Sequence, residues 1–475
     1  MNRSSVVFGL LAAPLLGGVG GGAAFATYSI DRTRSASDPV QVEPDYARVQ
    51  VILDRGCTGC HAGADAAAGL RLDSWDNIIA GSRHGEAIIP FDSDNSLAIE
   101  LLTKLNGGPH PAELGANPIV ADDVLALRMW IDAGARNADG VAPYADATQL
   151  LYVANQNSAM VSIIDMEADV VVRTVDLQEL GFPPDAKPHH VAVEPDGSHW
   201  YVSLIAANRV LKFNRANELV GQVEFERPGM LALHPTEDFL YVGRSMAAVN
   251  PPQRIGIISR SDMEIDEIDV FFPRPHSMAL HPNGEYLYTS SLAVNQIAAI
   301  ELASDELELS TLDGPPHVFV QFAISPDGNT MVAAAQLTAK LLVFDITNPM
   351  SPELEDIIDV NAAPWHPTYS PDGHFVYFGN LGDNTITVVD MAVRRPAGLI
   401  TGNGVAEPHG SALSPDGSRL YVSNRNVRGA YTPRYDLGDN ANSGTVIVIN
   451  TETHAIEKVI EVEGYAAGVG TRTRN

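Results

Sequence analysis

Pro371-Asp372-Gly373, followed closely by Val376-Tyr377-Phe378, is the stretch that decides the fold of the larger part of this chain. Pro-Asp-Gly is typical of a tight turn, because proline fixes φ and glycine accepts the left-handed backbone that such turns need. Val-Tyr-Phe combines β-branched and aromatic residues, which favour a strand. A turn followed by a strand is therefore the unit from which the rest of the sequence can be organised.

The same unit recurs along the chain. Related turn phrases occur at Pro195-Asp196-Gly197, Pro282-Asn283-Gly284, Pro326-Asp327-Gly328 and Pro415-Asp416-Gly417. The last four glycines stand at positions 284, 328, 373 and 417, and Pro235-Thr236-Glu237-Asp238 fills the gap before them. A second strand pattern, such as Ile386 to Asp390, follows each turn strand. Four short strands in a period of about 44 residues indicate a β-propeller.

The ends of the repeat predict the number of blades. It begins within a unit, at Leu150 to Ala154, and finishes at Gly464 to Gly470 with an innermost-strand pattern that nothing follows. Pairing the two ends would complete one blade and remove the open sheet edge. We therefore expect an all-β, seven-bladed propeller over residues 149–475. Over residues 149–472 the repeats resemble the YVTN-type propeller family, which implies a fold and almost nothing about activity.

Residues 138–148 are rich in Ala, Asp, Gly and Pro and read as a linker. Before this linker, Cys57-Thr58-Gly59-Cys60-His61 has the Cys-x-x-Cys-His spacing of c-type haem attachment. Each thiol can bond one vinyl group of a single haem, and His61 can supply the proximal axial ligand to its iron. A thioredoxin-like pair would need a βαβ context, a zinc site would need more soft ligands, and a disulfide across so small a loop would be strained. The chain has no other cysteine.

Helical patterns surround this motif, and residues 45–137 resemble the planctomycete-type cytochrome c domain, which implies a small all-α fold. The matching residues are Cys57 to His61, Gly69 to Ser74, Ile88 to Pro90, Ser96-Leu97 and Trp130 to Ala135. That family has Met-Pro-Pro before its last helix, whereas this chain has Pro109-His110-Pro111. His110 is thus the candidate distal iron ligand, and bis-histidine iron would have a lower potential than His/Met iron. The alternatives are a surface loop histidine with an open or differently filled sixth iron position, His84 or Met129.

The N-terminus reads as a targeting segment. Val6 to Ala26 lacks charge, and Ala24-Phe25-Ala26 is a small-x-small cleavage site, so residues 1–26 are predicted to be a signal peptide and residues 27–44 a flexible tether. An uncleaved membrane anchor is the alternative. Either way the sequence predicts a periplasmic or otherwise extracytoplasmic protein, which suits covalent haem.

The formal charge is -29, from 59 acidic and 30 basic residues. Such a balance argues against nucleic acid or an anionic membrane surface as a partner. It suits a redox partner protein that docks through complementary, basic charge.

Histidines begin several of the predicted innermost strands. His189, His276 and His409 align relative to the turn glycine, whereas His317 and His366 do not. These positions gather at the channel of a propeller, so His189, His276, His317 and His409 form a candidate metal or second-haem site. The arrangement is loosely similar to the multihistidine copper of the seven-bladed nitrous oxide reductases. The alternative is structural, since Pro-His opens strands in YVTN-type repeats generally, and His234 and His281 are interpreted as structural.

Two hypotheses of function follow. The first is a monohaem electron-transfer protein whose propeller is a docking platform. The second is an oxidoreductase with another metal or haem in the propeller channel, for which no catalytic residues can be named. Dihaem nitrite reductases combine a cytochrome c domain with a propeller in this order, but their propeller has eight blades. A long insertion from Asn424 to Ser443 is expected either to line a cleft or contact the haem domain, or to be a tolerated surface loop.

Overall fold

The computed structural model describes residues 45–105, 110, 119–248 and 253–472. The predicted signal peptide and tether lie outside these ranges. Within them, a small helical region precedes the propeller. Its helices are α1 (Tyr46–Gly56), α2 (Trp75–Ala80), α3 (Leu97–Thr103) and α4 (Ala121–Asp132), with a 3₁₀ turn at Ala67–Gly69.

Side-chain caps and apolar faces explain where these helices form. The Asp45 carboxylate accepts a hydrogen bond from the Arg48 amide (2.9 Å) at the start of α1. Ser74 Oγ accepts one from the Asn77 amide (3.3 Å) at the start of α2. The buried faces of α1, α3 and α4 meet in one core, which includes Val49, Ile52, Ile99, Trp130 and Ile131. The helical patterns that surround the Cys57–His61 motif in the sequence thus correspond to helices of the structure, among them α3 and α4.

Seven four-stranded antiparallel sheets follow, which confirms the predicted seven-bladed propeller. We number the blades by their position around the ring. Blade 1 contains β1 (Leu150–Asn155), β2 (Met160–Asp165), β3 (Val170–Asp176) and, innermost, β28 (Ala466–Thr471); blade 2 contains β4 (Pro188–Val193), β5 (His199–Leu204), β6 (Arg209–Asn214) and β7 (Leu219–Glu224); blade 3 contains β8 (Pro228–Leu233), β9 (Phe239–Arg244), β10 (Arg254–Ser259) and β11 (Ile265–Asp269); blade 4 contains β12 (Pro275–Leu280), β13 (Tyr286–Ser291), β14 (Gln296–Glu301) and β15 (Glu306–Thr311). Blade 5 contains β16 (Phe319–Ile324), β17 (Thr330–Ala335), β18 (Lys340–Asp345) and β19 (Glu353–Asp359); blade 6 contains β20 (Thr368–Tyr369), β21 (Phe375–Asn380), β22 (Thr385–Asp390) and β23 (Arg395–Ile400); blade 7 contains β24 (Pro408–Leu413), β25 (Arg419–Asn424), β26 (Gly444–Asn450) and β27 (Ile456–Val462).

The ring closes between the two ends of the repeat, as the sequence predicts. Strand β28 pairs with β1 in antiparallel register, with Leu151 opposite Thr471 and Val153 opposite Val469. Thr471 Oγ1 also donates to the Leu150 carbonyl (2.9 Å). Because β28 pairs with β1, β1 is not left as an open sheet edge, at which another chain could pair and cause aggregation.

Histidines at the far end of two innermost strands connect neighbouring blades. His234 Nε2 lies 2.7 Å from the Gly284 carbonyl, and His281 Nε2 lies 2.9 Å from the Gly328 carbonyl. Both glycines belong to turn phrases of the repeat and have positive φ. These two imidazoles therefore hold the turn of the next blade.

The helical region packs directly on the propeller, and residues 43–475 form one compact unit. Ile89 is buried in a cluster with Leu151 and Val153 of β1. The Val171 amide donates to Glu86 Oε2 (3.0 Å), and Arg173 lies over the Phe91 ring at 4.0 Å. These contacts fix the helical region against blade 1 of the propeller. No helix among the described residues is long and apolar enough to cross a membrane.

Candidate functional site

The Cys-x-x-Cys-His motif begins where α1 ends. Cys57 is the C-cap of α1, and its amide donates to the Leu53 carbonyl (2.7 Å). The His61 amide donates in turn to the Cys57 carbonyl (3.0 Å), which folds the motif into a tight loop. His61 Nδ1 lies 3.3 Å from the Leu70 carbonyl. If Nδ1 donates this bond, Nε2 keeps its lone pair, as an iron-ligating histidine requires.

His110 faces His61. The two ring centroids are 6.1 Å apart, and their planes are inclined by 60°. A metal–imidazole bond of about 2 Å, with about 1 Å more from each nitrogen to its ring centre, places two rings on opposite sides of one metal about 6 Å apart. The observed separation therefore fits two axial imidazoles on one iron.

A cavity of about 660 Å³ contains both histidines and both cysteines. Its walls are mainly apolar, and include Ile88, Leu97, Leu101, Leu127, Trp130 and Ile131. An apolar cavity with a few polar groups at defined positions is the usual form of a cofactor site. Two thiols, two imidazoles and apolar walls are the groups that a covalently attached haem needs, so the residues fit haem c.

Burial shifts the pKa of several titratable groups in this cavity, among them Cys57 and His110. Burial, and then the charge of Asp123, raise the pKa of the Cys57 thiol to about 11. Partial burial, and then His61, lower the pKa of His110, although its side chain stays partly exposed. His110 is therefore neutral near pH 7 and has a lone pair for a metal.

The other two candidate ligands are placed differently. His84 lines the cavity, and its carbonyl accepts a hydrogen bond from Arg434. Met129 lies on α4 beside Trp130, which is buried in the helical core, and it is not among the described residues that line the cavity. Of the alternatives to His110, only His84 is thus near the motif.

The insertion in blade 7 reaches the cavity that Cys57, Cys60 and His61 line. Arg434 and Tyr435 belong to this loop and line the cavity, and Arg434 Nη1 lies 3.3 Å from the His84 carbonyl. Contact with the haem domain was one of the two expectations for the insertion, and the structure confirms it. The first residues of the loop lie elsewhere: the Arg425 guanidinium stacks 4.2 Å above the Tyr465 ring, at the entry of β28.

The channel histidines come together, but in a different set from the predicted one. His189 lies 6.3 Å from His276 and 5.7 Å from His409, between ring centroids. His366 joins them at 4.7 Å from His409, and His190 lies 6.1 Å from His366. His317 instead stacks on Phe319, and its Nδ1 is 2.7 Å from Thr338 Oγ1. We call His189, His190, His276, His366 and His409 the histidine cluster.

The residues at the start of each innermost strand explain which histidines belong to the histidine cluster. Among the described residues, one residue with left-handed φ comes directly before the innermost strand in six blades: Tyr465, Lys187, Arg227, Arg274, Val318 and Glu407. In blade 6 the corresponding residue is Ala363, which precedes the bridge of Pro364 to Asn380, and β20 begins only at Thr368. His189, His276 and His409 are second after it, and His190 and His366 are third. His317 comes one residue before its left-handed residue, Val318, and so turns away from the others. Counting positions from the turn glycine does not reveal this difference between His317 and the other histidines.

Comparison with known proteins supports both parts of the chain. Residues 57–108 match the family model described as Planctomycete cytochrome C. A search of curated proteins gives no match. Among solved structures, a functionally unknown protein from Desulfotomaculum acetoxidans DSM 771 is 15% identical, with a TM-score of 0.55 over 69% of this chain and 100% of that one. Dihydro-heme d1 dehydrogenase NirN is 14% identical, with a TM-score of 0.50 over 88% of this chain and 98% of that one. At such identities these likenesses concern the fold alone.

Proposed function

We propose that this chain, which joins a planctomycete-type cytochrome c segment to a seven-bladed propeller, is an extracytoplasmic electron-transfer protein with one covalent haem c. Cys57 and Cys60 hold the haem, His61 is its proximal ligand and His110 its distal ligand. The haem supplies a reversible one-electron couple when bound. The observation that carries the proposal is the opposition of His61 and His110, at 6.1 Å, across the apolar cavity.

The chain's own residues prepare this site for electron transfer. The Leu70 carbonyl orients His61, and the Leu101 carbonyl accepts from the His110 amide (2.8 Å), which ties the distal residue to α3. Apolar walls keep water away from the iron, and such dry surroundings are one of the means by which a protein sets a haem potential. A haem held by both His61 and His110 would have no coordination position left for a substrate, so these two residues suit the site to electron transfer.

The propeller acts in this proposal as a rigid platform. It packs against the helical region as one unit, and its loop residues Arg434 and Tyr435 cover part of the cavity. The formal charge of -29 favours a basic redox partner. Covalent haem and the uncharged N-terminal stretch from Val6 to Ala26 support export.

Replacement of the distal residue tests the axial assignment. The His110→Met holoprotein is expected to show a changed absorption spectrum and a midpoint potential higher by on the order of 0.1 V, within the roughly 0.8 V range that axial ligands command. Spectroelectrochemistry measures both. His84→Met is the matched control, because His84 lines the same cavity and is expected to leave spectrum and potential close to those of the wild type.

An unchanged spectrum and potential in His110→Met, or a change confined to His84→Met, would contradict the bis-histidine assignment. The covalent link is tested separately by intact mass. Cys57→Ala together with Cys60→Ala is expected to abolish haem retention after denaturation, and retention in that variant would refute the attachment sites.

A further inference from the structure

The histidine cluster lies at the start of the innermost strands of blades 2, 4, 6 and 7, on the propeller axis and outside the haem cavity. Its members are buried or nearly so: His276 is 1% exposed, His409 2% and His366 6%. Histidines so deeply buried normally have both ring nitrogens bonded. The cluster therefore needs an explanation beyond packing.

Three of its nitrogens have no protein partner. His189 Nε2, His366 Nε2 and His409 Nδ1 are buried without a hydrogen bond among the described residues. A buried polar atom without a hydrogen bond destabilises the folded state, so three on neighbouring rings are an unusual concentration. They belong to three different blades and surround the same part of the axis.

The rings are also in the protonation state that binds metal. Burial, and then neighbouring histidines, hold the pKa of His189, His366 and His409 well below the usual value. Arg425 contributes to the lowering at His189 and His409. Neutral imidazole keeps a lone pair on one nitrogen, which is the form that coordinates metals.

Ring separations agree with a shared ion. Metal–imidazole bonds of about 2 Å place two ring centres about 4.5–6 Å apart, for angles at the metal between about 90° and 180°. The pairs His366–His409 and His189–His409 are at 4.7 and 5.7 Å, within this range.

Outer contacts hold two of the rings in place. His276 Nδ1 is 2.6 Å from the Arg244 carbonyl, and His189 Nδ1 is 2.8 Å from the Gln156 amide. A hydrogen bond on one ring nitrogen that fixes the other for a metal is the usual outer-shell arrangement. The Gln156 atom at this distance is Nε2, so His189 Nε2 has the free lone pair once the Gln156 amide turns over and presents its oxygen to the Nδ1–H.

We propose that the histidine cluster binds one copper ion through His189, His366 and His409, with His276 beside it. The rings are not arranged as metal ligands in this structure. Among the described residues, no group of three His, Cys, Asp or Glu side chains has the geometry of a metal site. The χ2 torsion of histidine is soft, so in the proposed site the rings turn about χ2 to direct their free nitrogens at one ion.

Donor chemistry selects copper. The three free donors are imidazole nitrogens, which suit copper, zinc, iron and nickel, and copper(II) binds nitrogen sites most tightly in that series. Arg425, near His189 and His409, and Arg274, near His276, add positive charge, which favours an ion of low charge and so the cuprous state. Gln156 and Trp365, the other polar side chains in contact with the cluster, carry no charge.

Metal analysis of the holoprotein tests the proposal. Purified protein is incubated with copper, washed with a chelator that competes for weak surface sites, and analysed for copper and iron by mass spectrometry. The amount of haem iron measures the number of protein chains in the sample. Wild type is expected to retain about one copper per iron, and electron paramagnetic resonance of the oxidised sample is expected to show nitrogen couplings from imidazole.

His366→Ala and His409→Ala are expected to lose at least tenfold in retained copper. His317→Ala is the matched control, because His317 is equally buried at the start of an innermost strand but bonds to Thr338. Far-ultraviolet circular dichroism and the haem spectrum verify that each variant folds. Should folding fail, His366→Gln, which keeps a polar side chain, replaces His366→Ala.

Three results would overturn the proposal. They are wild type that retains no copper, copper retained equally by wild type and His409→Ala, or zinc retained in place of copper under competition. All are independent of the haem ligands, so the proposed electron-transfer function can stand when the copper site fails.

Discussion

Replacement of Glu463 with glutamine is expected to reduce the loss of stability that the protein suffers as pH rises. Glu463 follows β27 and lines a small cavity of about 110 Å³ between the helical region and the propeller. Burial raises the pKa of its carboxyl to about 7. Glu100, Asp92 and Asp439 raise this pKa further through their negative charge, and Lys104 opposes them.

The sign of the effect follows from proton binding. Below about pH 4.5 the carboxyl is protonated in both the folded and the unfolded chain, and it contributes nothing to pH dependence. Between pH 4.5 and 7 the folded chain keeps a proton that the unfolded chain releases, so the free energy of unfolding falls as pH rises. Above about pH 7 the folded chain must bury a carboxylate. A pKa difference of about 2.5 corresponds to a total loss of about 3 kcal/mol.

Glutamine keeps the size of the side chain and removes the titration. We therefore expect the stability difference between Glu463→Gln and wild type to grow in favour of the variant, by about 2–3 kcal/mol from pH 5 to pH 8. Urea unfolding of both holoproteins at the two pH values, followed by circular dichroism, measures it. Glu452→Gln is the control, because Glu452 is an exposed turn residue of the same blade. An equal difference at pH 5 and pH 8 would refute the argument.

Two further substitutions test the contact between the haem cavity and the propeller. Arg434→Gln removes a positive charge from the cavity wall and is expected to lower the haem midpoint potential by about 20–60 mV, since that charge disfavours the oxidised iron. Spectroelectrochemistry measures this potential. Arg428→Gln is the control and is expected to change the potential less, because Arg428 lies in the same loop but is paired with Glu407. Ile89→Ala removes a side chain buried at 5% exposure against β1 and is expected to cost about 2–4 kcal/mol in urea unfolding. Val141→Ala, at 52% exposure, is the control, and equal stability of the two variants would show that Ile89 does not seal the interface.

The propeller repeat and the haem motif could both be predicted from patterns in the sequence. The repeat of Pro-Asp-Gly and strand residues fixes turns and strands within each blade, and the mismatched ends of the repeat predicted the β28–β1 pairing that the structure contains. The spacing of Cys57, Cys60 and His61 is likewise dictated by the chemistry of one haem. The turns, the strands and the haem motif follow from nearby residues, whereas the closing pair follows from comparing the two distant ends of the repeat.

Other features depend on geometry that the sequence does not express. His366 failed to align with His189 because it corresponds to His190, one position further along the strand entry. Pro364 pairs with Asn380 as Pro188 pairs with Leu204, which would have revealed this, but the pairing is visible only in the folded blade. The approach of Arg434 and Tyr435 to the haem cavity is a contact between residues about 350 positions apart, as in Arg434 with His84, and no local pattern marks it.

Closure of the ring by β28 has a consequence for the order in which the protein is made. Thr471 and Leu150, which bond across the closing pair, are 321 residues apart. At a synthesis rate of about 5–20 residues per second, the innermost strand of blade 1 emerges roughly 15–60 s after its partner. The Cys57–His61 segment is complete before either strand, and the loop that covers it arrives near the end of the interval. The ring therefore cannot close, and its loop cannot settle over the Cys57–His61 segment, until the rest of the chain has followed.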